Sequence, residues 1–210
     1  MKEYHKIDSI FKRDMTKPNK PFIMGEYCDE AIEYLKDNMW ECTEKVDGTN
    51  IRIQFIDGMA RYCGKTDKAD IPKHLMQKLY SIFNPLEVKM CEMFPSGVCL
   101  YGEGFGYKIQ GKVGIDYLKE DVDFYLFDIK VGDYWLRREV VAEIGSTLGL
   151  ILPNVVAYMT IDEAIDLVAT GFKSSFGTAD AEGLVLRPKV ELLNRKGERI
   201  ITKIKHRDFA

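Results

Sequence analysis

The sequence predicts an α+β fold with antiparallel sheets. Two observations carry that expectation: strand-like segments outnumber helical ones, and they come in hairpins. A third sets the scale. The chain has 210 residues, 46% hydrophobic and 30% charged, without repeats, low-complexity tracts or long linkers, so it can bury a sizeable core.

Taken in order, residues 1–20 form a basic arm with an apolar rhythm at Tyr4, Ile7, Ile10 and Phe11, punctuated by Pro18 and then Pro21. Residues 26–39 place Ala31, Ile32, Leu35 and Met39 at helical spacing. Residues 41–63 alternate, with Ile51, Ile53 and Phe55 on one side and Arg52 and Gln54 on the other. Asp57-Gly58 is the turn of a hairpin. Helices are expected over 71–83 and 85–94, the second opening on Pro85 at the first helical position. Residues 97–103 and the aromatic-rich 123–130 read as strands. Helices follow over 136–149 and 160–170, the latter with a Thr160–Glu163 capping box. Strands over 182–188 and 199–205 flank a polar turn at 194–198.

Several functional classes are excluded or disfavoured. No apolar run reaches the roughly 20 residues of a membrane span, and the charged opening has no apolar signal-peptide segment. The five cysteines form no CxxC pair and are odd in number, which suits reduced thiols in a cytoplasmic protein, or in the host cytoplasm for a viral one. The three histidines are scattered, against a zinc site. Net charge is −3, but its distribution is uneven: residues 1–20 carry +3, residues 189–210 carry +4, and the middle carries −10. Ends that meet in space would form a basic surface fit for a polyanion. Gly106 through Lys112 nearly matches a phosphate-binding P-loop, but Val113 stands where Ser or Thr must bind magnesium, and no helix pattern follows.

Five segments embed polar residues in apolar surroundings: 44–50 (EKVDGTN), 101–106 (YGEGFG), 124–129 (FYLFDI), 181–188 (AEGLVLRP) and 202–208 (TKIKHRD). Glu103 and Glu182 sit at the ends of buried strands, and Lys203 and Lys205, one residue apart, share a strand face. Burying so many charges is costly unless they are paired or bind a ligand. A common cleft explains them economically; structural ion pairs are the alternative. Alone, Lys45 between two short strands reads as a surface lysine and Asp47 as a turn residue.

In order, these segments resemble the nucleotidyltransferase motifs of the covalent ligase and capping-enzyme superfamily. The KVDGTN form, with Asn50 five residues after Lys45, is more similar to RNA ligases than to DNA ligases or guanylyltransferases. The whole chain resembles the core domain of the RNA ligase 2-like family, including its YHKIDSIFKRD opening.

That resemblance implies a nucleotidyltransferase (ATP-grasp-like) domain, with antiparallel sheets flanking a nucleotide cleft. It implies Lys45 as the nucleophile that attacks the α-phosphorus of ATP and forms a lysyl–AMP. A lysine must be neutral to attack, which desolvation and cationic neighbours such as Lys203 and Lys205 favour. Glu182 would hold Mg²⁺ (or Mn²⁺), and Lys203 and Lys205 would neutralise phosphate charge. Phe127 would stack on adenine, Glu103 would take the ribose hydroxyl, and Glu44 and Asn50 would contact the nucleotide. Lys65 stands where the family more often has an arginine reaching a phosphate; it keeps the charge and loses the bidentate fork.

The expected activity is ATP-dependent RNA ligation of 5′-phosphate and 3′-hydroxyl ends, in free strands or in a nicked duplex, in the service of RNA repair. Minimal DNA nick ligation and a nucleotide- or RNA-binding module with degenerate catalysis are the alternatives. The expected organisation is a single adenylyltransferase domain over 1–210, without a C-terminal oligonucleotide-binding barrel or helical domain. Substrate placement would then fall to the core surface or to a separate protein.

Overall fold

A computed structural model describes residues 2–209. In chain order the elements begin with β1 (Phe11–Arg13), β2 (Phe22–Tyr27), α1 (Glu30–Tyr34), β3 (Trp40–Lys45), β4 (Thr49–Ile56) and β5 (Met59–Cys63). Then come α2 (Lys73–Phe83), α3 (Glu87–Met93), β6 (Val98–Gly106), α4 (Lys112–Tyr117), β7 (Val122–Val131) and β8 (Tyr134–Trp135). The last are α5 (Arg138–Thr147), β9 (Val155–Met159), α6 (Ile161–Thr170), β10 (Gly183–Pro188) and β11 (Thr202–Lys205). Short 3₁₀ turns cover Asn84–Leu86 and His206–Asp208. Among the described residues no helix is long and apolar enough to cross a membrane.

The chain divides into two compact units. Unit 1 holds Met1–His5, Asp47–Pro153 and Phe176–Ala179; unit 2 holds Lys6–Val46, Asn154–Ser175 and Asp180–Ala210. Unit 1 is built on a five-stranded antiparallel sheet in the order β5-β4-β6-β7-β8. Ile51, Ile53 and Phe55 lie on one face, as their alternation requires, and pack with Leu100, Phe124 and Leu126 beneath Leu75, Leu79 and Phe83 of α2 and Val141 and Ile144 of α5. The Asp57-Gly58 turn takes left-handed backbone at both residues, φ 54° and 78°.

Unit 2 is built on a four-stranded antiparallel sheet in the order β11-β10-β3-β9, with the β1–β2 hairpin as a small separate sheet. Trp40, Cys42, Leu184, Leu186 and Ile204 cover one face of the larger sheet and pack with Ile161, Ala164 and Val168 of α6. The capping box expected for α6 is present, Thr160 and Glu163 exchanging bonds.

Four local expectations change. The helix anticipated over 26–39 is only α1, because β2 pairs with β1 and draws Glu26 and Tyr27 into a strand; Tyr27 packs on Phe11 with ring centroids 4.9 Å apart. The strand anticipated from 199 begins at Thr202. Strand β9, half exposed and weakly patterned, is an element the sequence does not signal. A helix, α4, does follow Gly111, so Val113 alone stands against a P-loop.

Trp40 is fully buried, and its indole N–H donates to the Leu35 carbonyl at 2.9 Å. We expect Trp40→Ala to destabilise the protein by about 3–5 kcal/mol, read as a lower urea midpoint by circular dichroism. A loss below about 1 kcal/mol would remove Trp40 from the centre of that core.

Candidate active site

Lys45 closes β3, an interior strand of the four-stranded sheet. The register sets Gly183 opposite Lys45 on one side and opposite Lys205 on the other. Residues in such a cross-strand row share a face. Lys45 and Lys205 therefore flank a position with no side chain, their backbones about 10 Å apart at the usual strand spacing. The next row on that face is Lys203, Val185 and Thr43.

Glu182 reaches into this gap. Its Oε2 accepts from Lys45 Nζ at 2.5 Å, and its Oε1 accepts from Lys205 Nζ. The side chains of Lys45, Glu182 and Lys205 are 20%, 10% and 15% exposed, so the pairs are sheltered from bulk screening. Burial alone would push the Glu182 carboxyl up, but the two ammonium groups outweigh it and hold it below the usual carboxylate range. Burial, reinforced by the charges of Lys205 and Lys45, pushes the Lys203 amine down to about 8. Gly183 is a steric requirement here: a Cβ would collide with the Ile204 carbonyl oxygen and sit 2.8 Å from Lys205 Cα.

The metal expectation for Glu182 can be tested on this donor set. Among the described residues no three His, Cys, Asp or Glu side chains converge, so no protein cage for a metal is built. Magnesium keeps several waters and takes one or two carboxylates together with substrate phosphates. A single carboxylate with lone pairs left after binding two lysines fits an ion that arrives with a triphosphate.

Glu44 falls on the opposite face of β3, with Trp40 and Cys42. Its buried carboxylate accepts from the Ser174 hydroxyl, from Ser175 N at 3.0 Å and from Ser175 Oγ at 2.5 Å. These bonds anchor residues 174–175 to β3. Nothing in the sequence marks that serine pair as its partner.

In unit 1, Asn50, Glu103 and Tyr125 form one cross-strand row on the face opposite the core. Asn50 Oδ1 is buried and meets no hydrogen-bond donor among the described residues. Such an orphaned acceptor fits a ligand carrying N–H or O–H groups. Phe127 lies half-buried where the β6–β7 register slips, and the ring of Tyr4 meets it edge-on at 5.0 Å. The turn before β4 is held by two bonds: Asp47 N donates to Tyr117 Oη at 3.1 Å, and Gln110 Nε2 donates to Gly48 O at 2.9 Å. A Cβ on Gly48 would collide with the Gly104 carbonyl oxygen. Lys65 is exposed in the loop after β5, which buried Arg52 fixes through Gly64 O and Asp67, both at 2.8 Å. The structure thus gathers Lys45, Glu182, Lys203 and Lys205 in unit 2, places Asn50 beside Glu103 on the unit 1 sheet, and leaves Lys65 in a surface loop.

The RNA ligase family profile matches residues 38–205, and the chain belongs to that family. Among solved structures, a Naegleria gruberi RNA ligase mutant with ATP and Mn is similar, with a TM-score of 0.63 at 19% identity over 84% of this chain and 52% of that one. A second mutant of the same ligase with ATP and Mn gives 0.64 at 17% identity over 99% and 58%. The structure of that ligase with PPi gives 0.63 at 19% over 86% and 53%. The present chain therefore spans a little over half the length of these ligases, and at this identity they establish the fold. A comparison with curated proteins gave no significant match.

The Lys203 amine should titrate with a midpoint near 8. Its folded value lies below its ordinary one, so the penalty on its charge is present at pH below 8 and is relieved as pH rises through 8 toward the ordinary lysine range. Acylation rates followed by mass spectrometry should rise at Lys203 through this window. Lys205→Ala should move the midpoint upward by removing a neighbouring cation. A Lys203 midpoint near 10.5, the ordinary lysine value, would contradict this account.

Proposed function

We propose that this chain is the catalytic core of an ATP-dependent RNA ligase acting through a covalent lysyl–AMP. The observation that carries this reading is the bridge of Glu182 between Lys45 and Lys205 across Gly183, in a chain of the RNA ligase family. It is further supported by the similar Naegleria structures, solved with ATP and Mn or with PPi.

An α-phosphate lying over Gly183 would have Lys45 on one side and Lys205 on the other. Its negative oxygens would compete with Glu182 for Lys205 and draw on Lys203. This frees the carboxylate from one partner and leaves the Lys45 amine facing phosphorus. The Lys45 ammonium gives up its proton to solvent, and the freed lone pair forms the N–P bond as the bond to the β-phosphate breaks, pyrophosphate leaving with that electron pair. A magnesium or manganese ion carried by the triphosphate and held by Glu182 would supply further neutralisation of phosphate charge. Lys203 and Lys205 would neutralise the charge that develops on the phosphate oxygens.

Asn50, Glu103 and Phe127 are assigned to the nucleoside, through the orphaned Asn50 Oδ1, the Glu103 carboxylate and the Phe127 ring. AMP then passes to an RNA 5′-phosphate, and a 3′-hydroxyl displaces it to seal the strand. We place this activity in RNA repair in the cytoplasm, with nicked duplex as one form of substrate and a separate protein assisting its placement.

Incubation with ATP labelled at the α-phosphate and Mg²⁺ should yield acid-labile label on Lys45. Lys45→Ala should lose it completely, while Glu182→Ala and Lys205→Ala should each lower the labelling rate by about 100-fold or more, with circular dichroism confirming the fold. Label that persists in Lys45→Ala would end the assignment. On nicked substrates, a deoxyribose at the 3′-hydroxyl side should seal much more slowly than a ribose. Equal sealing would move the reading to a DNA ligase, and no label at all to a nucleotide-binding module.

A further inference from the structure

The first residues of the chain belong to unit 1. Lys2, Glu3 and His5 are exposed, whereas Tyr4 is half-buried against the sheet. Its neighbours Tyr101 and Asp128 form a cross-strand row on the face opposite the core. That row lies two residues along β4 and β6 from the row of Asn50 and Glu103, about 7 Å at the usual strand rise. The Tyr4 ring is caged there. Its centroid lies 5.3 Å from Tyr101, and it meets Phe127 and Trp135 edge-on at 5.0 Å and 5.4 Å. The Tyr4 hydroxyl donates to Asp128 Oδ2 at 2.6 Å, and Asp128 is fully buried. A hydrogen bond to a carboxylate is stronger than a neutral one, and taking a donor away from a buried carboxylate is costly. The backbone is held as well, since Tyr101 Oη donates to Lys2 O at 3.1 Å.

The strand register explains why Phe127 depends on such a neighbour. Tyr101 pairs with Asp128 and Gly102 pairs with Leu126, so Phe127 is an extra residue with no partner in the β6–β7 ladder. Its carbonyl is taken by Arg138 Nη1 at 3.0 Å. Directly opposed cross-strand pairs normally steady side chains on a sheet. A bulged residue lacks that support and is re-aimed by the local bend. The Phe127 ring is therefore oriented by what packs on it, and the Tyr4 ring packs on it. Phe127 stays half-buried, so part of its surface remains open to a ligand.

We propose that Tyr4 is a positioning residue for base recognition. Caged by Tyr101 and Trp135 and pinned to Asp128, it holds the Phe127 ring in the orientation that stacks on adenine. The start of the chain thus completes the nucleoside site by acting through Phe127. The inference rests on the assignment of Phe127 to the base. It has two consequences. Loss of Tyr4 lowers nucleotide affinity without slowing the chemistry at Lys45, because an uncharged stacking ring takes no part in making or breaking bonds. That loss also vanishes once Phe127 is removed, because nothing is left to position.

The test is calorimetric titration of the unmodified chain with AMP. Wild type is compared with Tyr4→Ala, Phe127→Ala, the double variant, Tyr4→Phe and, as a control on the same exposed segment, Glu3→Ala. Tyr4→Ala should weaken AMP binding about tenfold. Tyr4→Leu, which fills the cage without a ring, should do the same and guards against an alanine variant that fails to fold. The double variant should bind no more weakly than Phe127→Ala alone. Tyr4→Phe keeps a ring in the cage and should stay within about threefold of wild type, and Glu3→Ala should change nothing. In α-phosphate labelling, Tyr4→Ala should raise KM for ATP and leave the saturating rate within about twofold. Losses that add in the double variant, equal losses in Tyr4→Phe and Tyr4→Ala, a reduced saturating rate at unchanged KM, or wild type that does not bind AMP would overturn the proposal. The label separates the two readings. Normal labelling with additive losses sinks the role of Tyr4 alone. Absent labelling with the expected loss and coupling sinks the ligase reading and leaves a nucleotide site ordered by Tyr4.

Discussion

One carboxylate between two ammonium groups organises unit 2. Glu182 joins strands β3 and β11 across β10, and Gly183 beside it lets the β11 backbone approach, since a Cβ there would collide with the Ile204 carbonyl oxygen. Without Glu182, three lysines on one sheltered face would repel one another. With it, one excess charge is cancelled and the remainder stays available. Burial first, and then the charges of Lys205 and Lys45, push the Lys203 amine down to about 8. The same charge imbalance that costs stability favours an anionic ligand on this face.

The apolar scaffold makes that imbalance tolerable. The reverse face of the sheet is closed by Trp40, Cys42, Leu184, Leu186 and Ile204 against α6. Glu44 is the exception on that face, and two serines satisfy it. The strands therefore cannot slide to separate the lysines: a shift of one residue would turn Lys45 inward and Glu44 outward. Register, more than any single bond, fixes the position of Lys45.

Much of this was legible before the fold. Period-two alternation alone puts Lys203 and Lys205 on one face, and the capping box locates the start of α6. Charge counting marks the two ends as basic, and the Ser9–Lys203 bridge shows why that matters. What resists reading depends on partners distant in the chain. Alternation also places Glu44 and Lys45 on opposite faces, but adjacency in a shared motif suggests a shared ligand. The serines that hold Glu44 are separated from it by 130 and 131 positions. Helical spacing at 26–39 is real, yet pairing of β2 with β1 overrides it, as tertiary context commonly does. A cleft lined by Arg13, Lys20, Lys203 and Arg207 is invisible in the sequence because its walls come from opposite ends of it.

Walls drawn from opposite ends also govern how the molecule comes into being. Unit 1 draws mainly on the single stretch Asp47–Pro153, whereas unit 2 is assembled from three stretches, the last of them Asp180–Ala210. The Thr202 hydroxyl bonds the carbonyl of Asp8 across 194 positions, and Lys45 meets Glu182 across 137. Contacts of such long range bear a large loop-closure cost and form late. During vectorial synthesis the lysine-bearing sheet has no β11 to pair with until residues 202–205 have emerged from the ribosome. Lys45 thus acquires its electrostatic surroundings long after it is made, and a product truncated before β11 carries Lys45 without Lys203 and Lys205 beside it.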